Sequence, residues 1–489
     1  MTLACLKHVK RRPPLILGVV AFLATPACRK PAPDEVVFQG TSVVARPMNT
    51  AGATGGSPAL GSGGVLNRPT SGATVSNPTG GTGGQPNPGS GGSPSSASGG
   101  STPQPMGGSA GQSPLPPEPL IPRAVSCGGA NVVVPFSKEA LLGSIAECAV
   151  KSYVDFEVAA RALSLVLAGT RTDTTPEQAW LSTQRAWQHA ELFRFGPAGR
   201  STEPGGRDLR DHIYGWPLIS RCKIEEQLVS QAYALPTFSD TTINGRGLGA
   251  LEYLLFYKGS DNACSAFSPI NAGAWVALGP VELAQRKRAY ALAAASDVVA
   301  RANSLLSFWD PASGNFCKEV TQAGTGSTTF GSTQLALNAV SDALFYMDEE
   351  FKDWKLGRPS GLVECAGLSC PEAVEAPYAG ASLDNLRANV SGFRSLFQGC
   401  GQGHSGLGFD DWLIAVGASD LNARMFGALD QLEQKLKAVP VPLEDLVRTD
   451  LARAQELHAA AKALTDLLKT EFVTLLNLDL PKSVEGDND

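Results

Sequence analysis

Residues 246–257 read RGLGALEYLLFY, and as a helix this stretch is apolar on nearly every side except for one carboxylate, Glu252. Leu248 lies one turn before Glu252 and Phe256 one turn after it, so the carboxylate cannot easily reach bulk water. An ionised carboxylate in an apolar interior is costly unless it is paired, metal-bound or kept protonated. The stretch therefore predicts a buried Glu252 with a partner elsewhere in the chain.

The N-terminal residues have the pattern of an export signal. Residues 1–28 begin with basic side chains, continue through an apolar segment at 15–23, and end with Ala27 directly before Cys28. The apolar segment is too short for a permanent bilayer span, and a small residue before a cysteine is typical of bacterial lipoprotein cleavage sites. We therefore predict a lipid on Cys28 that anchors the protein to a membrane of the cell envelope. Arg29, in place of an aspartate, favours the periplasmic face of the outer membrane. The alternative is an ordinary secretory signal with a coincidental cysteine.

The next segment, 29–122, is dominated by Gly, Ser, Pro, Thr and Asn, in runs such as GGTGGQPNPGSGG. This composition has too little apolar surface to offset the entropy of chain ordering, so it predicts a disordered tether. The remaining residues, 123–489, are enough for a folded domain with a substantial core. A formal net charge of −6 and the absence of a basic cluster argue against nucleic acid as a partner.

The chain has 10 cysteines, of which Cys5 lies in the signal and Cys28 would be lipidated. Eight remain, and an even number in an exported protein favours disulfides over thiolate metal sites. From local sequence order we predict bridges Cys127–Cys148 and Cys222–Cys264. The other four would pair among themselves: Cys317, Cys365, Cys370 and Cys400.

Apolar residues recur at helical spacing through most of the folded part, and alternating strand patterns are nearly absent. The spacing predicts helices at 137–167, 176–195, 209–235 with an interruption near 216–217, 246–257, 282–309, 332–351, 381–397, 409–437 and 442–478. The predicted fold class is therefore all-α, either one long array or two packed helical bundles that divide near 265–280.

Six sequence fragments occur in register over nearly all of the folded part. They are AWQHAELFRFGP at 186–197, WPL at 216–218, GLGALEYLLF at 247–256, KLGRPSG at 355–361, VEAPYAGASLDNLRANVSGFRSLF at 374–397 and GLGFDDWL at 406–413. In these fragments the chain resembles the imelysin family, also called the M75 peptidase-like family. The resemblance implies two packed helical bundles with a polar site at their junction, centred on a GxHxxE motif.

The chain departs from that motif at one position. Gly247 and Glu252 match the glycine and the glutamate, but Gly249 stands where the family has histidine. The family has been linked both to metallopeptidase activity and to iron uptake. Glycine supplies neither a nitrogen ligand nor a transferable proton, so its presence weakens both links, and the peptidase link more.

Two further glutamates complete the predicted site. Glu191 matches the family's glutamate before FRFGP, and Glu375 lies in the second half's best polar cluster. We predict that Glu252, Glu191 and Glu375 hold iron or another divalent metal through oxygen ligands. The resemblance also places four residues along the junction: Trp216, Tyr378, Ser382 and Asn389.

A plainer interpretation exists for each of these residues. Glu191 could lie on a helix surface, paired with Arg194 three residues later. Glu252 could form a salt bridge with Arg246, Arg221 or Arg194. Ser382 and Asn389 could serve only in helix capping and packing.

No HExxH, GxSxG or P-loop pattern occurs, and the histidines of the folded part, His189, His212, His404 and His458, lack metal-ligand spacing. Our leading hypothesis is an envelope-anchored protein that binds a metal ion or metal complex without catalysis, in iron uptake, with iron-transport components as partners. The alternatives are an M75-type metallopeptidase and a degenerate protein-binding scaffold.

Overall fold

The fold is described by a computed structural model over residues 119–129, 135–482 and 484. These residues fall within a unit that spans 106–489. The predicted signal at 1–28, the lipid on Cys28 and nearly all of the tether lie outside the described residues. The predicted boundaries at 28 and 122, and the division near 265–280, stay predictions.

The all-α prediction is confirmed, since the described ranges contain helices and no strand. The α-helices of the first half are α1 Lys138–Leu167, α2 Pro176–Ala190, α3 Leu209–Ile213, α4 Arg221–Ser230, α5 Gly247–Phe256 and α6 Ala274–Trp309. Short 3₁₀ turns connect them at Glu191–Phe193, Gly196–Ala198, Ala232–Ala234, Phe238–Asp240, Ile243–Gly245 and Pro269–Asn271.

The second half contains α7 Phe316–Thr321, α8 Thr333–Ser341, α9 Ser382–Gln398, α10 Phe409–Ala415, α11 Ser419–Lys437, α12 Leu443–Thr449, α13 Leu451–Leu467 and α14 Val473–Leu476. After α8 the chain continues as a 3₁₀ segment, Asp342–Met347, and a ten-residue π-helix, Asp348–Gly357. A second π segment, Leu468–Phe472, follows α13, and a 3₁₀ turn occupies Pro371–Ala373.

Several helix limits follow from capping side chains. Ser137 Oγ accepts a hydrogen bond from the amide of Ala140 at the start of α1. Thr175, which directly precedes Pro176 at the start of α2, accepts one through Oγ1 from the amide of Gln178. These contacts satisfy amides that have no partner inside the first helical turn. The predicted helix at 409–437 is wrong as one element, because Gly417, with φ of +83°, ends α10 and separates it from α11.

Long-range packing brings the halves of the sequence together. Helix α1 packs on α2 and α6, and α5 packs on α2 and α6. The π-helix packs on α13, while α9 packs on both α2 and α11. Helices α2 and α9 and the π-helix therefore meet in the interior, next to the segment that leads into α9.

The described residues contain four disulfides: Cys127–Cys317, Cys148–Cys400 and Cys222–Cys264 connect distant segments, and Cys365–Cys370 closes a short loop. The Cys222–Cys264 prediction is confirmed and the Cys127–Cys148 prediction is wrong. Cys148 lies inside α1 and is buried against the end of α9, whereas Cys127 precedes α1 and reaches α7. The expectation that Cys317, Cys365, Cys370 and Cys400 pair among themselves is confirmed for Cys365–Cys370 and wrong for Cys317 and Cys400, which bond to Cys127 and Cys148.

Candidate functional site

Glu252 is buried, with 6% of its surface exposed, as its position in α5 predicts. Its Oε1 atom accepts hydrogen bonds from the backbone amides of Tyr378, at 2.7 Å, and Ala379, at 3.1 Å. Burial raises the pKa of Glu252 to about 8, although the two amide hydrogen bonds act to lower it. At neutral pH Glu252 is therefore mostly protonated. Its hydrogen-bond partners are these two backbone amides.

The alternative in which Glu252 forms a salt bridge with an arginine is wrong. Arg246 donates to Asp297 at 2.9 Å, and Arg221 donates to Glu225 at 2.7 Å. Arg194 pairs with Glu350. Each candidate arginine therefore has its own carboxylate, and none of these pairs includes Glu252.

The two glycines of the motif exclude a side chain for different structural reasons. Gly247 begins α5 with φ of +72°, and a Cβ there would lie 2.5 Å from the carbonyl oxygen of Ile213. At Gly249 a Cβ would lie 2.5 Å from Cγ1 and 2.9 Å from Cδ1 of Ile219. The isoleucine side chain fills the space into which a histidine at position 249 would extend, so the motif histidine does not fit here unless Ile219 moves.

A cavity of about 350 Å³ lies beside Glu252. Its wall includes Gly249 and Glu252 from α5, together with the aromatic rings of Tyr214, Trp216, Tyr253 and Tyr378 and the guanidinium groups of Arg221 and Arg358. Arg358 Nε is buried and has no hydrogen-bond partner among the described residues. The cavity thus combines flat rings, two cations and two acidic side chains, Glu372 and the predominantly neutral Glu252.

Glu191 and Glu375 lie in a separate, closed network around Lys355 of the π-helix. The Nζ atom of Lys355 has four oxygens near it: Gln188 Oε1 at 2.5 Å, Asn389 Oδ1 at 2.9 Å, Glu375 Oε1 at 3.0 Å and Glu191 Oε1 at 3.3 Å. Lys355 and both glutamates are each 1% exposed or less. The alternative that places Glu191 on a helix surface, paired with Arg194, is therefore wrong.

Two tyrosines donate to the same carboxylates. Tyr346 donates its hydroxyl to Glu191 Oε1 at 2.5 Å, and Tyr214 donates to Glu375 Oε1 at 2.8 Å. Burial, followed by the charge of the adjacent glutamate, raises the pKa of both phenols well above the usual value. Both phenols therefore remain protonated donors. Tyr214 also lines the cavity beside Glu252, so it connects the two regions.

The other predicted junction residues also lie in this area. Asn389 Nδ2 donates to the backbone oxygen of Gln188 at 2.8 Å, and Ser382 donates to the backbone oxygen of Glu375. The Trp216 ring centroid lies 5.6 Å from Lys355 Nζ, and Tyr378 is partly exposed at the cavity. Ser382 therefore fixes the backbone beside a site glutamate, as well as beginning α9.

Sequence reasoning missed Lys355, although it begins the KLGRPSG fragment at 355–361. A lone lysine is usually exposed, and only the convergence of two buried carboxylates shows that this one is not. The π-helix that carries it is a rare element, often found at functional sites, and helical periodicity in the sequence does not reveal it.

The geometry does not present the three predicted glutamates as one metal-binding set. Within the described ranges, three potential ligand atoms of Cys, His, Asp or Glu approach within 4.8 Å of one another only at Cys222, Glu226 and Cys264. Those two cysteines form a disulfide and so cannot act as thiolates. An ammonium group lies between Glu191 and Glu375, and Glu252 is held by amides, so the residues do not fit a bare metal ion shared by all three.

No helix in the part of the chain that the structure describes is both long enough and apolar enough to cross a bilayer.

Comparisons with known proteins agree with the helical fold. Iron-regulated protein A of Synechococcus elongatus is 23% identical over 372 residues, which cover 72% of this chain and 89% of that protein. The solved structure of an imelysin-like protein from Psychrobacter arcticum has a TM-score of 0.50 at 18% identity, covering 72% of this chain and 99% of its own. An iron-regulated protein A precursor from Parabacteroides distasonis has a TM-score of 0.52 at 16% identity, covering 70% and 96%.

The family comparison covers most of the folded part. The family model described as imelysin, Peptidase M75, matches residues 149–470. This range includes α5 with Glu252, the π-helix with Lys355 and both remaining glutamates. The chain belongs to the imelysin family.

Proposed function

We propose that this protein binds an iron complex, without catalysis, in the cavity beside Glu252. The observation that carries the proposal is that Glu252 remains buried next to an open cavity although the motif histidine is absent. A degenerate site would be expected to close around an ion pair, but in the part of the chain that the structure describes this glutamate has no arginine partner and the cavity beside it is open.

The link to iron comes from relatives. The Synechococcus and Parabacteroides proteins carry the name iron-regulated protein A, and the first covers most of this chain. Iron regulation of a relative supports a role in iron acquisition for this protein. A lipid on Cys28, a position in the cell envelope and contact with iron-transport components are parts of the same proposal.

The cavity favours a metal complex over a bare cation. Arg358 keeps a buried Nε without a hydrogen-bond partner among the described residues, although it also pairs with Glu364, and Arg221 is paired with Glu225 and Asp261. Glu372 lies on the same wall, and Glu252 is predominantly neutral at pH 7 because burial raises its pKa to about 8. Bare cations are repelled by guanidinium groups, whereas the carboxylates of an anionic iron chelate are attracted to them. A volume of about 350 Å³ is within the range of small-molecule sites and admits a compact chelate.

The same features support a role without catalysis. A metallopeptidase needs nitrogen or oxygen ligands with an open coordination position, and a base in its ionised form. Ile219 fills the position of the motif histidine, and the raised pKa of Glu252 removes most of its negative charge at neutral pH.

The proposal is tested by titrating the protein with ferric citrate, with citrate alone and with zinc ions, using intrinsic fluorescence and calorimetry. We expect wild type to bind ferric citrate, and Arg358→Gln to weaken that binding by about tenfold. Arg424→Gln is the matched control, because that guanidinium pairs with Glu471 on the surface. Failure of wild type to bind the complex, or zinc binding that Glu252→Gln abolishes, would overturn the proposal.

A further inference from the structure

We infer that the ε-ammonium group of Lys355 is the resident cation of a four-oxygen site between α2, α9 and the π-helix, and that this site takes no exchangeable metal ion. The inference is independent of the proposed function, because the four oxygens surround Lys355 and the proposed ligand occupies the cavity beside Glu252.

The oxygens have the chemistry of a hard-cation site. Two are carboxylate oxygens, from Glu191 and Glu375, and two are amide oxygens, from Gln188 and Asn389. Carboxylate and amide oxygens are the ligands that calcium, magnesium and similar ions prefer. Here the same set surrounds a nitrogen that carries three donors and one positive charge.

Both carboxylates of this site already have a cationic partner. Lys355 lies against both Glu191 and Glu375, and Arg210, which also bonds Asp211 through Nη1, has its Nε 3.6 Å from Glu191 Oε2. A metal ion bound by the same oxygens would lie within a few ångströms of the Lys355 ammonium group, and two cations so close together in a buried site repel each other strongly. Metal binding therefore requires that the lysine leave.

The site retains spare oxygen ligands for such an exchange. Glu375 Oε2 is buried without a hydrogen-bond partner among the described residues, and Glu191 Oε2 has only the ion pair with Arg210 Nε, at 3.6 Å and beyond hydrogen-bond distance. With the ammonium group removed, the freed and spare oxygens would face a space that suits a cation. Replacing Lys355 by a neutral side chain of similar length should therefore create a metal site that wild type lacks.

The test uses Tb³⁺, a hard oxygen-seeking ion whose luminescence is sensitised by nearby indole rings. The Trp216 ring centroid is 5.6 Å from the position of Lys355 Nζ, which makes it a built-in donor. We expect saturable emission at one ion per chain from Lys355→Met, and at least tenfold weaker emission from wild type. The double variant Lys355→Met with Glu375→Gln should lose the added emission. That loss would distinguish Tb³⁺ bound at this site from Tb³⁺ bound to surface carboxylates.

Two results would overturn the inference. One is sensitised emission from wild type that Glu191→Gln removes, because the site would then bind metal with the lysine present. The other is a folded Lys355→Met variant, by circular dichroism, that gains no emission. Lys355→Gln serves as the second variant if Lys355→Met does not fold. The first result needs neither of these variants, because it rests on comparing the emission of wild type with that of Glu191→Gln.

Discussion

Two buried carboxylate regions lie side by side in this protein, and they are stabilised in opposite ways. Among the described residues Glu252 has no cationic partner; it accepts hydrogen bonds from two backbone amides and borders a cavity. Glu191 and Glu375 share Lys355 in a closed network. Burial disfavours a lone charge, and protonation and ion pairing are two ways to relieve that penalty. The difference separates a region open to a ligand from one that is already filled.

The largest expected effect comes from removing the shared cation. Lys355→Met leaves Glu375 without a cation and Glu191 with only Arg210 at 3.6 Å, so we expect the free energy of unfolding to fall by about 3–5 kcal/mol. Urea unfolding followed by circular dichroism measures the change. Lys435→Met is the control, because its pair with Glu456 is largely exposed and should contribute less than about 1 kcal/mol. Equal effects of the two substitutions would show that Lys355 is not a buried counter-ion.

The pH dependence of stability distinguishes Glu252 from the lysine network. Because the folded-state pKa of Glu252 is raised from 4.5 to about 8, the folded protein binds the proton more tightly than the unfolded chain. Its contribution to stability is therefore present below pH 4.5 and is lost as the pH rises through 8.

The measurement compares wild type with Glu252→Gln between pH 5 and 9. Asp342 and Asp410 also have pKa values raised by burial to about 7, so only the difference between the two proteins isolates Glu252. We expect the variant to gain about 2–4 kcal/mol relative to wild type as the pH rises to 8. Parallel stability curves would mean that Glu252 is ionised in the folded protein.

A smaller effect is expected when the motif histidine is restored. Gly249→His introduces atoms that collide with Ile219, so we expect a loss of about 1–3 kcal/mol in thermal or urea unfolding. The added substitution Ile219→Ala should recover part of that loss. Gly427→His is the matched control in α11, where a Cβ meets nothing within 4 Å. A Gly249→His variant as stable as wild type would show that the space is open.

Much of the fold and part of the site could be predicted from the sequence. The helical class, the burial of Glu252 and the Cys222–Cys264 bridge follow from local patterns, because each depends on residues near in sequence. The Cys148–Cys400 bridge joins residues 252 positions apart, and no local rule reveals such a pair. The role of Lys355 was missed for the same reason, since its oxygens come from α2, α9 and the segment before α9.

The groups that stabilise each buried carboxylate could not be predicted from the neighbouring sequence either. The sequence indicates that Glu252 needs a partner, but backbone amides carry no residue identity, and those of Tyr378 and Ala379 lie more than 120 positions away. Arginines nearby in sequence are therefore the natural candidates, and here each of them binds another acid.

The most direct measurement is anomalous diffraction at the iron edge from crystals of wild type soaked in ferric citrate. We expect an iron peak in the cavity bordered by Glu252, Trp216 and Arg358, with Lys355 still in contact with Glu191 and Glu375. An iron peak between Glu191 and Glu375, with the lysine displaced, would contradict the division into an open region and a filled one.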